Sequence, residues 1–187
     1  MKILNIFKKT NALLEGHFVL SSGLHSEKYL QCALVLQYPE YAQALCKALA
    51  KKYQGKKIDV VIAPALGGIL VSYELAKALG VRSIFTERKE GKQQLRRNFK
   101  IKKGENVLVC EDVITTGGST KKVIDIVKTF GGKLTGIACI IDRSGKNNLF
   151  GKTKLTALKK MNIKTYSPEN CPLCRKKIPL DKPGSRQ

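Results

Sequence analysis

The sequence predicts a doubly wound α/β fold, a mainly parallel sheet with a small N-terminal hood. Three observations predict it. The runs "DVVIAP", "NVLVCEDVI" and "LTGIACIID" are continuously apolar, as strands covered on both faces are. Helical stretches alternate with them. Glycines stop those helices, at Gly80 and at Gly131-Gly132.

In order along the chain, residues 3–14 carry a helical pattern. "HFVLSS" and "KYLQCALVL" read as short strands, and residues 39–53 as a helix ending near Gly55. "IDVVIAPALGG" is a buried strand entering a glycine turn, followed by the helix "ILVSYELAKALG". "VRSIFTER" is the next strand, and residues 89–103 are polar and basic without periodicity. "ENVLVCED" precedes a Gly-Gly turn, a helix over about 118–130 and the strand "LTGIACIID". The closing section holds a short helix, a strand at "NIKTY" and a Pro-rich tail. The expected organisation is one domain over 1–187, with N-terminal elements and hood in 1–57, a core in 58–145 and C-terminal elements in 146–187. Ligands of such sheets bind beyond the carboxyl ends of the strands. Four loops meet there: 63–68, 88–103, 111–120 and 142–145.

Bulk properties narrow the class. No apolar run approaches the ~20 residues that span a bilayer, and the N-terminus lacks the long apolar stretch of a secretory signal. The expectation is a cytoplasmic protein with no membrane partner. The chain has 35 basic and 14 acidic residues, net +21, which suits either nucleic acid or a strongly anionic small substrate. Lysines number 28 and arginines 7. Since arginine makes the bidentate phosphate and base contacts, and aromatics are only 6%, the balance argues against nucleic acid.

The six cysteines fit a reducing compartment. Cys110 and Cys139 lie in apolar runs, as small buried hydrophobes. Only "CPLC", Cys171 to Cys174, has ligand-like spacing. It is half a zinc site, with only His17 and His25 available far upstream, and reads as a tail turn or an exposed dithiol. His17 and His25 read as structural or surface residues.

The chemistry concentrates in "CEDVITTGGST". Amide groups of a glycine-rich turn at a helix start attract an anion. The hydroxyls of Thr115, Thr116, Ser119 and Thr120 add donors. No Walker pattern is present, so a nucleoside triphosphate is not the obvious ligand. Ionised Glu111 and Asp112 only accept hydrogen bonds, which suits sugar hydroxyls. A ligand with a phosphate and a neighbouring diol fits both, as a ribose 5-phosphate does. "TTGG" alone would also serve an ordinary strand–turn–helix; the preceding acid pair makes the difference.

"VLVCEDVITTGGST" resembles the phosphoribosyl pyrophosphate (PRPP) motif of type I phosphoribosyltransferases. With "APALGGILVSYELAKALGV", "IDRSG" and "CPLCRKKIPLDKPGSR", nearly the whole chain resembles the orotate phosphoribosyltransferases. The resemblance implies that PRPP and orotate give orotidine 5′-monophosphate and pyrophosphate, in the de novo synthesis of UMP. It implies that Glu111 and Asp112 hold the ribose hydroxyls, and that Val113, Ile114, Thr115, Thr116, Gly117, Gly118, Ser119 and Thr120 form the 5′-phosphate loop. Thr115 and Arg143 would face orotate, the latter pairing with its carboxylate. Arg88, Lys89 and Lys92 would belong to a mobile lid that enters the neighbouring subunit of a homodimer. Ala63, Pro64, Ala65, Leu66, Gly67 and Gly68 would bind pyrophosphate. Catalysis would rest on Lys92, Glu111 and Asp112. Mg²⁺ would be held mainly by the substrate, with no dedicated protein ligand.

The chain departs from the family pattern in three places. Ser21 stands where a lysine is common, Leu66-Gly67 where a Tyr-Lys pair is common, and Gln94 or a neighbour where the lid has a histidine. Lys28, Arg96 or Arg97 could replace some of that charge. The alternatives are a phosphoribosyltransferase for a purine or another base, and a PRPP-sensing regulator that binds nucleic acid.

Overall fold

In the computed structural model, residues 3–20 and 22–183 are described, so Ser21 lies outside the described residues. The chain forms two compact units, one of residues 1–37 with 162–187 and the other of residues 38–161.

The larger unit is built on a six-stranded sheet. Its strands are β3 (Val60–Pro64), β4 (Arg82–Lys89), β5 (Lys92–Leu95), β6 (Asn106–Ile114), β7 (Lys133–Asp142) and β8 (Leu155–Lys160), in the order β5-β4-β3-β6-β7-β8. All neighbours run parallel except β4 and β5. Helices α3 (Pro39–Ala50), α4 (Gly67–Leu79) and α5 (Gly118–Thr129) cover the sheet. Val60, Ile62, Val107 and Val109 pack with Val123, Ile124 and Val127 of α5. Side chains alternate along a strand, so Val61, Ala63 and Leu108 supply the opposite face. There α3 and α4 pack together, and the Cys46 thiol of α3 lies 3.7 Å from the Val71 carbonyl of α4. The expected mainly parallel α/β sheet is present.

Strand order locates the ligand crevice. From β3 the chain passes to β4 on one side, then returns through β6 on the other. The switch point therefore falls between β3 and β6, and the loops 63–68 and 111–120 leave those strands' carboxyl ends. Asp59 secures the start of this pair by accepting bonds from the Asn106 amide (2.7 Å) and side chain (2.8 Å).

The smaller unit contains α1 (Ile3–Lys9), an antiparallel sheet of β1 (Leu13–Val19), β2 (His25–Leu30) and β9 (Thr165–Tyr166), and the short helices α2 (Ala33–Leu36) and α6 (Pro172–Arg175). Several expected elements differ from these. The first helix stops at Lys9, and Leu13-Leu14 begin β1. "CALVL" is not strand, because Ala33–Leu36 form a helical turn. Residues 89–103 contain a strand after all, residues 155–160 form β8, which the sequence did not mark, and the short helix expected in the closing section is α6.

Candidate active site

Strand β6 carries the acid pair to the switch point. Val107 to Glu111 are buried, Glu111 being 9% exposed, and Asp112 is half-buried. Burial, with Asp112 adding repulsion, pushes the Glu111 carboxyl up to about 9. Asp112 is raised by burial too, although backbone N–H groups of Val113 and Asp112 itself oppose that shift.

The first turn of α4 closes over both acids. A Cβ on Gly67 would lie 3.0 Å from each Asp112 carboxylate oxygen. One on Gly68 would lie 2.7 Å from Ala63 Cβ and 3.3 Å from Glu111 Oε1. Glycine here is a packing requirement. The contacts join the 63–68 loop to the acid pair, and they set the amide-rich start of a helix against two carboxylates.

The 111–120 turn follows directly. Gly117 caps α5 with φ 72°, a left-handed conformation, and its carbonyl starts the helix by accepting from Lys121 N at 2.9 Å. The first amides of such a helix have no acceptor within it. Glu111 and residues 113–120 wall a cleft of about 70 Å³. Its size and amide lining fit one compact anion.

Arg143 arrives from the next strand. Its backbone N–H donates to the Ile114 carbonyl at 2.8 Å, immediately before Thr115. Asp142 shapes this turn, its carboxylate accepting the Ser144 N–H at 2.9 Å. Sequence reading overlooked Asp142 as a positioning residue, although an acid two residues before a serine amide is a common turn signal.

Arg88, Lys89 and Lys92 form the tip of a β-hairpin. Lys89 pairs with Lys92 across Glu90 and Gly91, whose φ values of 51° and 76° make a two-residue turn. Arg88 Nε donates to the Gly91 carbonyl (3.4 Å), and Lys89 lies 3.7 Å from Glu90. These contacts stay within the hairpin, away from the acid pair. The hairpin's base reaches the site: Gln93 donates to Thr86 Oγ1 (2.6 Å), which donates to the Ala63 carbonyl (3.5 Å). The Ala65 N–H also donates to the Thr86 carbonyl at 2.8 Å.

The candidate replacement cations are engaged elsewhere. Arg97 makes a bidentate pair with Glu87 (3.0 and 2.8 Å), holding that carboxyl below its usual range, and Arg96 lies 3.9 Å from the same group. Lys28 lies 3.3 Å from Glu15. Among the described residues, no helix is long and apolar enough to cross a membrane.

Comparison with known proteins agrees with this geometry. Residues 35–149 match the phosphoribosyl transferase domain. A protein of Desulforamulus reducens named orotate phosphoribosyltransferase is 55% identical over 187 residues, covering 100% of this chain and 97% of its own. One of the same name from Caldicellulosiruptor bescii is 57% identical, covering 98% and 96%. The crystal structure of orotate phosphoribosyltransferase from Aeropyrum pernix superposes with a TM-score of 0.73 at 26% identity, over 85% of this chain and 93% of that one. The adenine phosphoribosyltransferase of Thermoanaerobacter pseudethanolicus, 21% identical over 72% and 88%, shares the fold with a TM-score of 0.62. With its acid pair and amide-lined turn at the switch point, and relatives matching it end to end, the chain belongs to the orotate phosphoribosyltransferases of the phosphoribosyltransferase family.

Proposed function

We propose that the protein transfers the phosphoribosyl group of PRPP to orotate, giving orotidine 5′-monophosphate and pyrophosphate for pyrimidine synthesis. The observation that carries this reading is the joining of three loops: α4's first turn against Glu111 and Asp112, and Arg143 against Ile114. The amides of 115–118 and the start of α5 hold the 5′-phosphate. Glu111 and Asp112 accept the ribose hydroxyls. Thr115 and Arg143 orient orotate, the guanidinium pairing with its carboxylate.

In the reaction the bond from C1 to the pyrophosphate oxygen breaks as the bond from C1 to the orotate ring nitrogen forms. Positive charge grows on the ribose ring, beside the Glu111 and Asp112 carboxyls, and favours their ionised forms. Negative charge grows on the leaving pyrophosphate, which residues 63–68 and Lys92 receive. The protein's work is positioning, charge stabilisation and exclusion of water. A Mg²⁺ ion suits this donor set, because buried hard oxygens whose ionisation is opposed, as at Glu111, gain from a nearby cation. Carried by PRPP, the ion would neutralise part of the pyrophosphate charge, and Glu111 and Asp112 are the residues that would face it.

A homodimer with the hairpin entering the neighbouring subunit fits this scheme. Leu66, Leu70 and Tyr73 form an exposed apolar row at helical spacing, 84%, 49% and 59% exposed, as an unpartnered interface does. No disulfide joins the described cysteines, which accords with a cytoplasmic enzyme.

The test is pyrophosphate release with Mg²⁺ and PRPP, offering orotate, uracil, adenine and hypoxanthine in turn. Orotate alone should support turnover; turnover with a purine instead would move the assignment to another base. Arg143→Ala should raise the orotate KM about 50-fold with little change in that for PRPP, consistent with a lost charge-assisted pair. Equal effects on both substrates would remove Arg143 from the orotate site. Lys92→Ala should lower kcat roughly 100-fold with a smaller effect on PRPP affinity, since its contact strengthens as pyrophosphate departs. An unchanged kcat would take Lys92 out of catalysis.

A further inference from the structure

Four residues with no part in the transfer reaction converge in the smaller unit. They are His17 on β1, His25 on β2, and Cys171 and Cys174 around α6. One ligand atom from each lies within 4.8 Å of all the others. His17 Nε2 stands 2.9 Å from His25 Nδ1, 3.5 Å from Cys171 Sγ and 3.7 Å from Cys174 Sγ, and Cys174 Sγ stands 3.2 Å from His25 Nδ1. A tetrahedron with metal–nitrogen bonds of about 2.0 Å and metal–sulfur bonds of about 2.3 Å has edges of roughly 3.3–3.8 Å. The three contacts that involve sulfur lie close to those edges, the two imidazole nitrogens stand closer together than an edge, and the remaining pairs lie within 4.8 Å.

We propose that this cluster is a structural zinc site with a Cys₂His₂ ligand set. The fold is organised around it at three levels of detail that sequence spacing does not reveal. The β1–β2 register shifts between Glu15 and Phe18, a bulge that inserts one residue and re-aims the chain at His17. His17 Nδ1 lies 2.8 Å from the Ile178 carbonyl, which can only accept, so Nδ1 carries the proton and Nε2 presents a lone pair to the cluster. A ring nitrogen so fixed by a backbone carbonyl is the usual outer support of a metal-binding histidine. The Cys-x-x-Cys segment presents both sulfurs from one short turn, closed by the Arg175 N–H donating to the Cys171 carbonyl at 3.3 Å.

The ligand chemistry selects the ion. Two thiolates and two imidazoles in a tetrahedron suit zinc, whereas magnesium and calcium take oxygen. Four protein ligands leave no position for a substrate, so the site is structural and not catalytic. His17, His25 and Cys171 are 3%, 6% and 0% exposed, and Cys174 completes the cluster from its exposed side. The purpose follows from topology. The unit is made from two chain segments, and the strand that the C-terminal segment adds to its sheet, β9, has only two residues. Zinc would tie the C-terminal segment to β1 and β2.

The test begins with the untagged full chain, purified without chelators and measured by plasma mass spectrometry. About one zinc per chain is expected. Cobalt exchanged into the site should give the intense visible bands of a tetrahedral ion and a thiolate charge-transfer band. A strong chelator should lower Tm by about 10 °C, and added zinc should restore it. Cys174→Ser and His25→Ala should lose the zinc and the chelator response together. Should those variants fail to fold, alkylation of the wild-type chain decides: zinc should shield Cys171 and Cys174, and the chelator should expose them. A chain that takes up neither zinc nor cobalt would overturn the proposal, as would octahedral cobalt or a Cys171–Cys174 disulfide in fresh protein. None of these readouts depends on the transferase activity.

Discussion

Glu111→Gln is expected to make the protein more stable and nearly inactive. Folding raises the Glu111 carboxyl from an ordinary 4.5 to about 9. The unfolded chain therefore loses this proton near pH 4.5, while the folded chain keeps it until about pH 9. Across that window the folded state binds more protons than the unfolded, so its stability falls as pH rises. Each pH step above 4.5 costs about 1.36 kcal/mol, so the loss at pH 8 is on the order of 5 kcal/mol. Glutamine keeps the shape and cannot ionise, so the variant should melt well above the parent at pH 8 and close to it at pH 5. Thermal melts at fixed ionic strength across that range measure the difference. Asp112→Asn should gain less, because backbone N–H donors already favour the ionised Asp112. In Glu111→Gln, kcat/KM for PRPP should fall by more than about 100-fold, since an amide cannot ionise as positive charge grows beside it, whereas the carboxyl can. A melting difference that does not change with pH would mean that Glu111 is already ionised in the free protein. Such a residue illustrates a site held at the expense of stability.

What the sequence made legible follows burial. Strands β3, β6 and β7 lie in the middle of the sheet, covered on both faces, and their Val/Ile runs announced them. The strands that escaped notice, β5 with "KQQL" and β8 with "LTALKK", are the two edges of the same sheet. An edge strand tolerates lysine because solvent reaches it, and lysine there discourages pairing with another chain. Its sequence therefore resembles a loop. "ALVL" failed for a different reason: four apolar residues fit a strand or a single helical turn equally well. In the site, the acid pair and the amide-rich turn were legible because both lie in one continuous stretch. That Gly67 and Gly68 press on Asp112 and Glu111 was not, since the contact joins loops that are far apart in the chain. The same limit hid the meeting of His17 and His25 with Cys171 and Cys174.

Gly117→Ala should cost the protein its phosphate site, and Gly80→Ala serves as its control. Both glycines hold left-handed backbone, at φ 72° and 69°. Alanine in that conformation costs about 1 kcal/mol at either position. The surroundings differ. A Cβ at Gly80 meets nothing within 4 Å, whereas at Gly117 it would lie 2.8 Å from Phe150 Cζ and 3.0 Å from Leu149 Cδ2. Both neighbours are half-buried and packed against the core, so swinging them away gives up packing. The turn itself should share the adjustment, which moves the amides of 115–118 out of register with a bound phosphate. Overpacking of this kind adds roughly 1–3 kcal/mol. Gly80→Ala should therefore lose about 1 kcal/mol in denaturant melts and keep its kinetics. Gly117→Ala should lose two to three times as much, by order of magnitude, and raise the PRPP KM about 100-fold. The orotate KM should move less, because Arg143 is held by a bond to Ile114, upstream of the disturbed turn. Equal stability losses with an unchanged PRPP KM would place the phosphate somewhere other than the 115–118 amides.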